Sequence, residues 1–255
     1  MPATLHHRFD GPENAPVIVL GSPLGADGRV WDAVVPALAA THRVLRFDTR
    51  GHGGSELPPG SPTMSDLAAD VVALADRYGV ERFAYAGISL AGALGLTLAL
   101  DAPERLDRLV VCCSGAKLGE PPAWHERAAL VRRDGVQAVA ETVLGRWFTP
   151  EYAAREPGVV AETLAMLQAC PAEGYASVCD AIATFDVRAR LAAVTVPTLV
   201  VAAERDPSTP VALSEEVAAG IPGARLVLVH DAAHLVIVEK ADEVAEILVD
   251  FLSGS

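Results

Sequence analysis

The composition of this 255-residue chain is that of a globular protein, since 51% of its residues are hydrophobic and 21% are charged. Its formal net charge of −13 disfavours binding to nucleic acid or to an anionic membrane surface. No apolar run reaches the roughly 20 residues that a bilayer span needs, and the opening MPATLHHRFD lacks the pattern of a secretory signal. The four cysteines have neither disulfide nor metal-ligand spacing, so we expect a cytoplasmic protein with reduced thiols.

Strand-like and helix-like segments alternate along most of the chain. The helical segment that begins at Met64 is amphipathic, and within it Ser65 is a candidate cap and Gly79 a candidate terminator. Short runs that are apolar throughout are typical of strands buried on both faces of a parallel sheet. Six such runs are found, at Val17–Leu20, Arg43–Phe47, Arg82–Gly87, Arg108–Ser114, Thr198–Ala203 and Arg225–His230. The alternation predicts an α/β fold with a mostly parallel, doubly wound sheet.

A possible nucleophile follows the third predicted strand, in Gly87-Ile88-Ser89-Leu90-Ala91-Gly92, just before an apolar helical segment. A sharp turn between a strand and a helix can hold a serine hydroxyl above a sheet, provided that small residues stand two positions before and after the serine. Gly87 and Ala91 meet that demand. We therefore predict Ser89 as a nucleophile and the backbone N–H of Leu90 as an oxyanion donor.

The alternation stops between about Lys117 and Leu191, where the apolar spacing is helical and is punctuated by proline and glycine. We predict that residues 117–190 form a helical cap over a core made of residues 1–116 and 191–255. The alternative is that these segments are ordinary crossover helices of the sheet.

A serine nucleophile needs a base, and the base needs a carboxylate to orient it. After a nucleophile elbow, the acid and the histidine follow in that order along the chain. Asp206 follows the fifth predicted strand, and His234 follows the last, so both are expected at the carboxyl edge of the sheet. Glu204 and His230 are the local rivals, but each stands closer to the end of its strand. His52, in a glycine-rich loop after the second strand, is interpreted as structural.

Several motifs together resemble the α/β-hydrolase superfamily: DTRGHGGS (48–55), GISLAG (87–92), ERDPSTP (204–210) and DAAHLVIVE (231–239). Within it, the chain from Val19 onward is similar to the 3-oxoadipate enol-lactonases. The more specific segments are LGSPLGADGRVWD (20–32), DAPERLDRLVVCCSGAKLG (101–119), RWFTPEY (146–152) and CPAEGYASVCDAI (170–182). The resemblance implies an α/β-hydrolase fold. It also implies hydrolysis of a five-membered enol-lactone bearing a carboxymethyl group, without a metal or an organic cofactor.

The loop Gly21–Gly25 departs from that resemblance, because it reads GSPLG where the lactonases read roughly SNSLG. Pro23 stands where the second oxyanion donor normally lies, and proline has no N–H. Loss of one oxyanion donor lowers turnover by about 10²- to 10³-fold. Either Leu24 donates instead, or the hydroxyl of Ser22 does, or the reaction is slow or altered. Pro23 itself is expected to contact the substrate. A second departure follows His234, where this chain has the apolar pair Val236–Ile237 and the lactonases have a polar pair.

The resemblance also implies a substrate with a free carboxylate, which calls for a cation in the cap. Arg132 and Arg133 are the first candidates, with Arg127 and Arg146 behind them. Any of these could instead be a solvated surface charge. Two further cap residues, Trp124 and Trp147, are expected either to wall the substrate site or to belong to the core of the cap.

The same residues are compatible with other functions. A general carboxylesterase or C–C hydrolase would use the same triad, and a cofactor-independent biosynthetic enzyme would tolerate a weak oxyanion hole. A protein that only binds a small molecule is a further alternative. The expected partner is a small anionic lactone or ester, and the oligomeric state is left open.

Overall fold

Seven strands form one sheet in the computed structural model, which describes residues 1–254. Within those residues only the first strand runs antiparallel to its neighbour, and every other pair is parallel. The order across the sheet is β1 (His7–Asp10), β3 (Arg43–Phe47), β2 (Val17–Gly21), β4 (Phe83–Ile88), β5 (Leu106–Cys112), β6 (Thr198–Ala203) and β7 (Arg225–Val229). The predicted α/β fold with a mostly parallel sheet is confirmed.

The six predicted strands are all present, with ends that shift by at most two residues. The largest shift is in β5, which starts at Leu106 and ends at Cys112 because Cys113 adopts a φ of 40° and leaves the extended conformation. Strand β1 was not predicted. Its residues, HRFD, are mostly polar and partly exposed at the sheet edge, so they lack the apolar run of a strand buried on both faces.

Helices pack around this sheet in the core of the protein. They are α1 (Val35–Leu38), α2 (Met64–Arg77), α3 (Leu90–Asp101), α9 (Val211–Gly220), α10 (Val236–Glu239) and α11 (Ala241–Ser253). Helix α2 packs on α3, and α1 packs on α11. Among residues 1–254, no helix is both long enough and apolar enough to cross a membrane.

The start of α2 corrects one sequence expectation, because Thr63 and not Ser65 is the N-cap. Thr63 is extended and its hydroxyl accepts from the N–H of Asp66, whose carboxylate accepts in return from the N–H of Thr63. Ser65 lies inside the helix and its hydroxyl donates to Asp101. Gly79, with a φ of 65°, follows the end of the helix as expected.

Five helices lie between β5 and β6, namely α4 (Pro121–Asp134), α5 (Gln137–Trp147), α6 (Pro150–Arg155), α7 (Pro157–Ala169) and α8 (Ala172–Ala183). Proline stands at the first position of three of them and at the N-cap of α8, where its fixed φ favours a helix start. An isolated antiparallel bridge joins Lys117 to Asp186, so the chain leaves and rejoins the core at one neck. This arrangement supports treating residues 117–190 as a single cap.

The cap lies against the core through glycine contacts. A Cβ atom added to Gly174, at the start of α8, would lie 1.8 Å from the carbonyl oxygen of Gly51 in the core. Gly51 has a φ of 70°, and a Cβ there would lie 2.6 Å from the Cα of Gly174. Gly25 contacts the cap in the same way, since its added Cβ would lie 2.3 Å from Leu167. Two backbone segments therefore approach each other where no side chain fits.

Replacing Gly174 with alanine is expected to destabilise the protein by about 1–3 kcal/mol, because a backbone carbonyl must move to admit the methyl group. Urea unfolding measures the change. Gly158→Ala is the matched control, since that glycine in α7 has open space around its missing Cβ, and alanine there should stabilise slightly. Equal stabilities of the two variants would contradict the close contact.

Candidate active site

Ser89 sits in a strained turn between β4 and α3. Its φ of 58° and ψ of −118° lie in a region that side chains rarely adopt. The turn is fastened on both sides: the N–H of Ser89 donates to the carbonyl of Cys112 at 2.9 Å, and its carbonyl accepts from the hydroxyl of Ser114 at 2.7 Å. The Ser89 side chain is left partly exposed. This is the geometry of a nucleophile elbow.

Small residues allow the strand and the helix to meet at this turn. A Cβ atom on Gly87 would lie 2.1 Å from the carbonyl oxygen of Ala91, so glycine is required there. The Ala91 methyl group points toward Gly21, where an added Cβ would lie only 2.6 Å from it. Because Gly21 has no side chain, alanine is accommodated at the position where glycine is more common.

Asp206 and His234 form a buried pair at the carboxyl edge of the sheet. Asp206 Oδ2 lies 2.7 Å from His234 Nδ1, and both side chains are almost completely buried. The other carboxylate contacts are all donors: the hydroxyl of Thr209 at 2.6 Å and the N–H groups of Ser208 and Thr209 at 2.7 and 3.0 Å. Burial raises the pKa of Asp206, but the charge of His234 and these hydrogen bonds outweigh it, and the pKa falls below its usual value.

This arrangement is compatible with the predicted role of His234 as a base. An ionised Asp206 accepts a hydrogen bond from the Nδ1–H group of His234, which leaves Nε2 without a proton and able to act as a base. Both His234 and Ser89 line the same cavity. Thr209, which was not predicted, donates to Asp206 and lines the same cavity. Its position three residues after the acid, in a Ser-Thr pair that can fold back on a carboxylate, is a recognisable signal.

The rival acid and base lie away from the site. Glu204 Oε2 and His230 Nδ1 are 3.3 Å apart on the surface, where their side chains are 45% and 69% exposed. These two residues therefore pair with each other. His52 is buried, its Nδ1 lies 3.2 Å from the carbonyl oxygen of Arg50, and burial lowers its pKa. It does not line the cavity, which agrees with a structural role.

The cavity has a volume of about 400 Å³ and lies between the core and the cap. That size is within the usual range for small-molecule sites. The core contributes residues around the nucleophile, and the cap contributes a wall of larger side chains. The lining includes Pro23, Leu24, Ser89, Leu90 and His234 from the core, and Trp124, Arg127, Arg146, Trp147 and Tyr175 from the cap.

Both predicted oxyanion donors border this cavity. The N–H of Leu90 is at the first position of α3 and has no partner within the helix. Within residues 1–254, neither Leu24 nor Leu90 donates its N–H to a backbone group outside the regular elements. The hydroxyl of Ser22 is buried and donates instead to the carbonyl of Asp27 at 3.0 Å. The geometry favours Leu24, and not Ser22, as the donor that compensates for Pro23.

The structure corrects the first choice of substrate-binding cations. Arg132 contacts Glu173 and Asp180 at 2.9 and 2.8 Å, and Arg133 contacts Asp134 at 2.7 Å. Neither arginine lines the cavity. Arg132 and Arg133 follow Arg127 by five and six residues, which places them on other faces of helix α4. The three arginines of this helix therefore cannot all point to one site.

Arg127 and Arg146 do line the cavity, as do both tryptophans. The Arg127 guanidinium lies 5.1 Å from the centre of the Trp124 ring, whose Nε1 donates to the carbonyl of Leu118. Trp147 is only 3% exposed, so it belongs both to the cap core and to the cavity wall. Val236–Ile237 is fully buried, which suits an apolar pair after the histidine.

Comparisons with known proteins agree with this geometry. Residues 17–247 match the alpha/beta hydrolase family. The chain is 37% identical to 3-oxoadipate enol-lactonase 2 of Acinetobacter baylyi, over 82% of this chain and 78% of that protein. It is 32% identical to a putative carbamate hydrolase of Variovorax paradoxus, over 98% and 96% of the two chains. The crystal structure of the enol-lactonase from Burkholderia xenovorans superposes with a TM-score of 0.96, at 40% identity over 99% and 97% of the two chains. The chain therefore belongs to the α/β hydrolase family and resembles its enol-lactonases.

Proposed function

We propose that this protein hydrolyses 3-oxoadipate enol-lactone to 3-oxoadipate, with Ser89 as nucleophile, His234 as base and Asp206 as the acid that orients it. The chain is a carboxylic ester hydrolase, as its likeness to the enol-lactonases indicates. The observation that carries the proposed substrate is a cavity with Ser89 and His234 on one side and two arginines on the other.

The acylation step follows from the positions of these groups. His234 Nε2 takes the proton from the Ser89 hydroxyl, and the Ser89 oxygen attacks the lactone carbonyl. The oxygen of that carbonyl becomes negative and accepts hydrogen bonds from the N–H groups of Leu90 and Leu24. The ring C–O bond then breaks. The enolate is a good leaving group because its charge is delocalised. It takes the proton from His234 to give an enol, which tautomerises to the ketone.

Deacylation uses the same base. A water molecule gives a proton to His234 Nε2 and attacks the ester that joins Ser89 to the acyl group. Breakdown of the second tetrahedral intermediate returns the proton to the Ser89 oxygen and releases a new carboxylate. Over both steps, one lactone and one water molecule are consumed, and 3-oxoadipate and a proton are formed. Asp206 remains ionised and stabilises the imidazolium in both steps.

Arg127 and Arg146 differ from the other arginines of the cap in that no described carboxylate pairs with them. Within residues 117–190, the other five arginines each contact a carboxylate, and these contacts are Arg132–Glu173, Arg133–Asp134, Arg155–Glu156, Arg188–Asp186 and Arg190–Asp101. No described carboxylate contacts Arg127 or Arg146 at salt-bridge distance. Within the cap, the arginines and lysines that have no carboxylate partner are thus the two arginines that line the cavity, in a chain whose net charge is −13.

Arg127 is the better placed of the two cations. Its side chain is half-buried and rests over the Trp124 ring, whereas Arg146 is exposed. Water screens an exposed charge more strongly, so its pairing with a substrate is weaker. We therefore assign Arg127 to the substrate carboxylate and a weaker, supporting role to Arg146.

Replacing Arg127 with glutamine is expected to lower kcat/KM for the enol-lactone about 10- to 100-fold, mainly through KM, because a charged hydrogen bond to the substrate is lost. Arg146→Gln should have a smaller effect. Arg133→Gln is the matched control, since it removes the same charge from the same helix outside the cavity. Steady-state kinetics on the lactone and on its neutral methyl ester measures the preference for the anion.

The wild type should prefer the free acid, and Arg127→Gln should lose that preference while it retains activity toward the methyl ester. A wild type that hydrolyses both forms equally would contradict the assignment of the cavity to an anionic lactone. Such a result would favour a general esterase or a carbamate hydrolase, because relatives with the latter name cover nearly the whole chain.

The proposed setting is the cytoplasm. All four cysteines, Cys112, Cys113, Cys170 and Cys179, are buried as free thiols. Burial raises the pKa of Cys112, Cys170 and Cys179 to about 12, so these thiols stay protonated and unreactive at neutral pH.

A further inference from the structure

Glu239, the last residue of α10, is a buried carboxylate that the mechanism above does not use. It is 8% exposed, and among residues 1–254 it makes no ion pair with a lysine or arginine. Its contacts are hydrogen-bond donors from two segments, one in the cap and one just before α10. Oε1 accepts from the Thr149 hydroxyl, Oε2 accepts from the N–H of Ala233 at 3.0 Å, and the N–H of Thr149 lies 3.4 Å from both oxygens.

The hydrogen bonds to Glu239 all run in the same direction, toward its carboxylate. The Thr149 oxygen already accepts from the N–H of Tyr152 at 3.2 Å, so its own hydrogen is directed to Glu239. Backbone N–H groups can only donate. All the partners of Glu239 are thus donors, and both of its carboxylate oxygens accept from them.

These contacts bracket the catalytic histidine. Ala233, which precedes His234, is held by Glu239 and through it by Thr149 of the cap. Leu235, which follows His234, donates its N–H to the carbonyl of Trp147 in the cap at 2.8 Å. The backbone on both sides of the histidine is therefore attached to the same short cap segment, residues 147–149, and that segment also supplies Trp147 to the cavity wall.

We infer that Glu239 is a positioning residue that couples the cap to the catalytic base. Asp206 orients the imidazole ring through Nδ1, whereas Glu239 fixes the backbone from which the ring projects. A displacement of the cap segment would be transmitted to His234, and a misplacement near 1 Å can reduce turnover about 10²-fold. The inference rests on the proposed function only in taking His234 as the base of the reaction.

The test compares Glu239→Gln, Thr149→Val and the double variant, with Glu243→Gln as the matched control on an exposed carboxylate of α11. Glutamine keeps the shape but presents an NH₂ group to one of the donors. We expect Glu239→Gln to lower kcat about 10- to 100-fold with KM nearly unchanged. Thr149→Val should lower kcat less, and in the double variant it should add little, because both changes break one connection.

An aryl ester serves as the assay substrate alongside the enol-lactone. Hydrolysis of the ester without hydrolysis of the lactone would contradict the proposed substrate. The effect of Glu239 on kcat could then still be measured with the ester. The low-field proton NMR resonance of the His234 Nδ1–H group is measured in parallel and needs no substrate. It should shift or broaden in Glu239→Gln and stay unchanged in Glu243→Gln.

Loss of thermal stability alone, with kcat and the His234 resonance both at wild-type values, would overturn the inference and leave Glu239 as a structural residue. If Glu239→Gln does not fold, Thr149→Val is the second test, because it keeps the carboxylate and removes the hydroxyl that donates to it from the cap. The same change also removes the acceptor of the Tyr152 N–H at the start of α6. A lowered kcat with an altered resonance in that variant supports the coupling. Wild-type values of both in a folded Thr149→Val overturn it.

Discussion

Replacing Ser89 with alanine is expected to lower kcat by on the order of 10⁴- to 10⁶-fold while the fold is retained. The loss is expected because Ser89 is the proposed nucleophile and lines the same cavity as His234. Alanine fits the same turn, since the hydrogen bonds that fasten it use only the backbone of Ser89. Steady-state hydrolysis of an aryl ester and of the enol-lactone measures the effect.

A serine-directed phosphonate provides a second readout of the same prediction. It should add its mass once to the wild type and not at all to Ser89→Ala. Ser65→Ala, which removes an exposed hydroxyl on α2, is the control for serine loss and should behave as the wild type. Labelling that persists in Ser89→Ala would place the nucleophile elsewhere.

Replacing Asp206 with asparagine is expected to lower kcat by about 10⁴-fold, as loss of the orienting carboxylate does in other serine hydrolases. The wild-type carboxylate accepts from Thr209, from two backbone N–H groups and from His234. The asparagine amide has one oxygen for these donors, and its NH₂ group facing Nδ1 would favour the tautomer with hydrogen on Nε2. That tautomer cannot take the proton from Ser89.

Glu204→Gln is the matched control for this variant, because Glu204 lies on the same loop and pairs with His230 at the surface. Its activity should equal that of the wild type. Nearly normal turnover in Asp206→Asn, combined with a large loss in Glu204→Gln, would reverse the assignment of the acid. Kinetics on a single ester substrate distinguishes the two results.

The depressed pKa of Asp206 also has a consequence for stability. Because its pKa in the folded protein lies below the ordinary value of 3.8, the folded state favours the ionised carboxylate. This contribution to the free energy of unfolding is fully present above the ordinary value. It is lost as the pH falls through the lower pKa of the folded state. Asp206→Asn should remove that part of the acid sensitivity of the fold.

The apolar strands and the positions that follow them were predictable from the sequence. Runs such as Thr198–Ala203 are buried on both faces of a parallel sheet, and this burial imposes a composition that can be read directly. Since parallel strands end at one edge, Ser89, Asp206 and His234 could be expected to meet there. Strand β1 could not be predicted in the same way, because an edge strand with exposed polar side chains leaves no such pattern.

The cap was harder to interpret because its contacts depend on how helices turn and pack. Nothing in the sequence distinguishes the four candidate arginines from one another. Arg127 differs from Arg132 only in the face of α4 on which it lies and in the carboxylates near it, and both features require the structure. The contact between Thr149 and Glu239 joins residues that are 90 positions apart. Periodicity in one segment carries no information about such a partner.

The proposed function is tested most directly by measuring whether the wild type hydrolyses 3-oxoadipate enol-lactone. The reaction is followed as the loss of the ultraviolet absorbance of the lactone. An aryl ester and a small carbamate are measured beside it at neutral pH. We expect kcat/KM for the lactone to be at least about 10⁴ M⁻¹s⁻¹, well above the values for the other two substrates. A folded enzyme that hydrolyses the ester or the carbamate and leaves the lactone intact would contradict the proposed function.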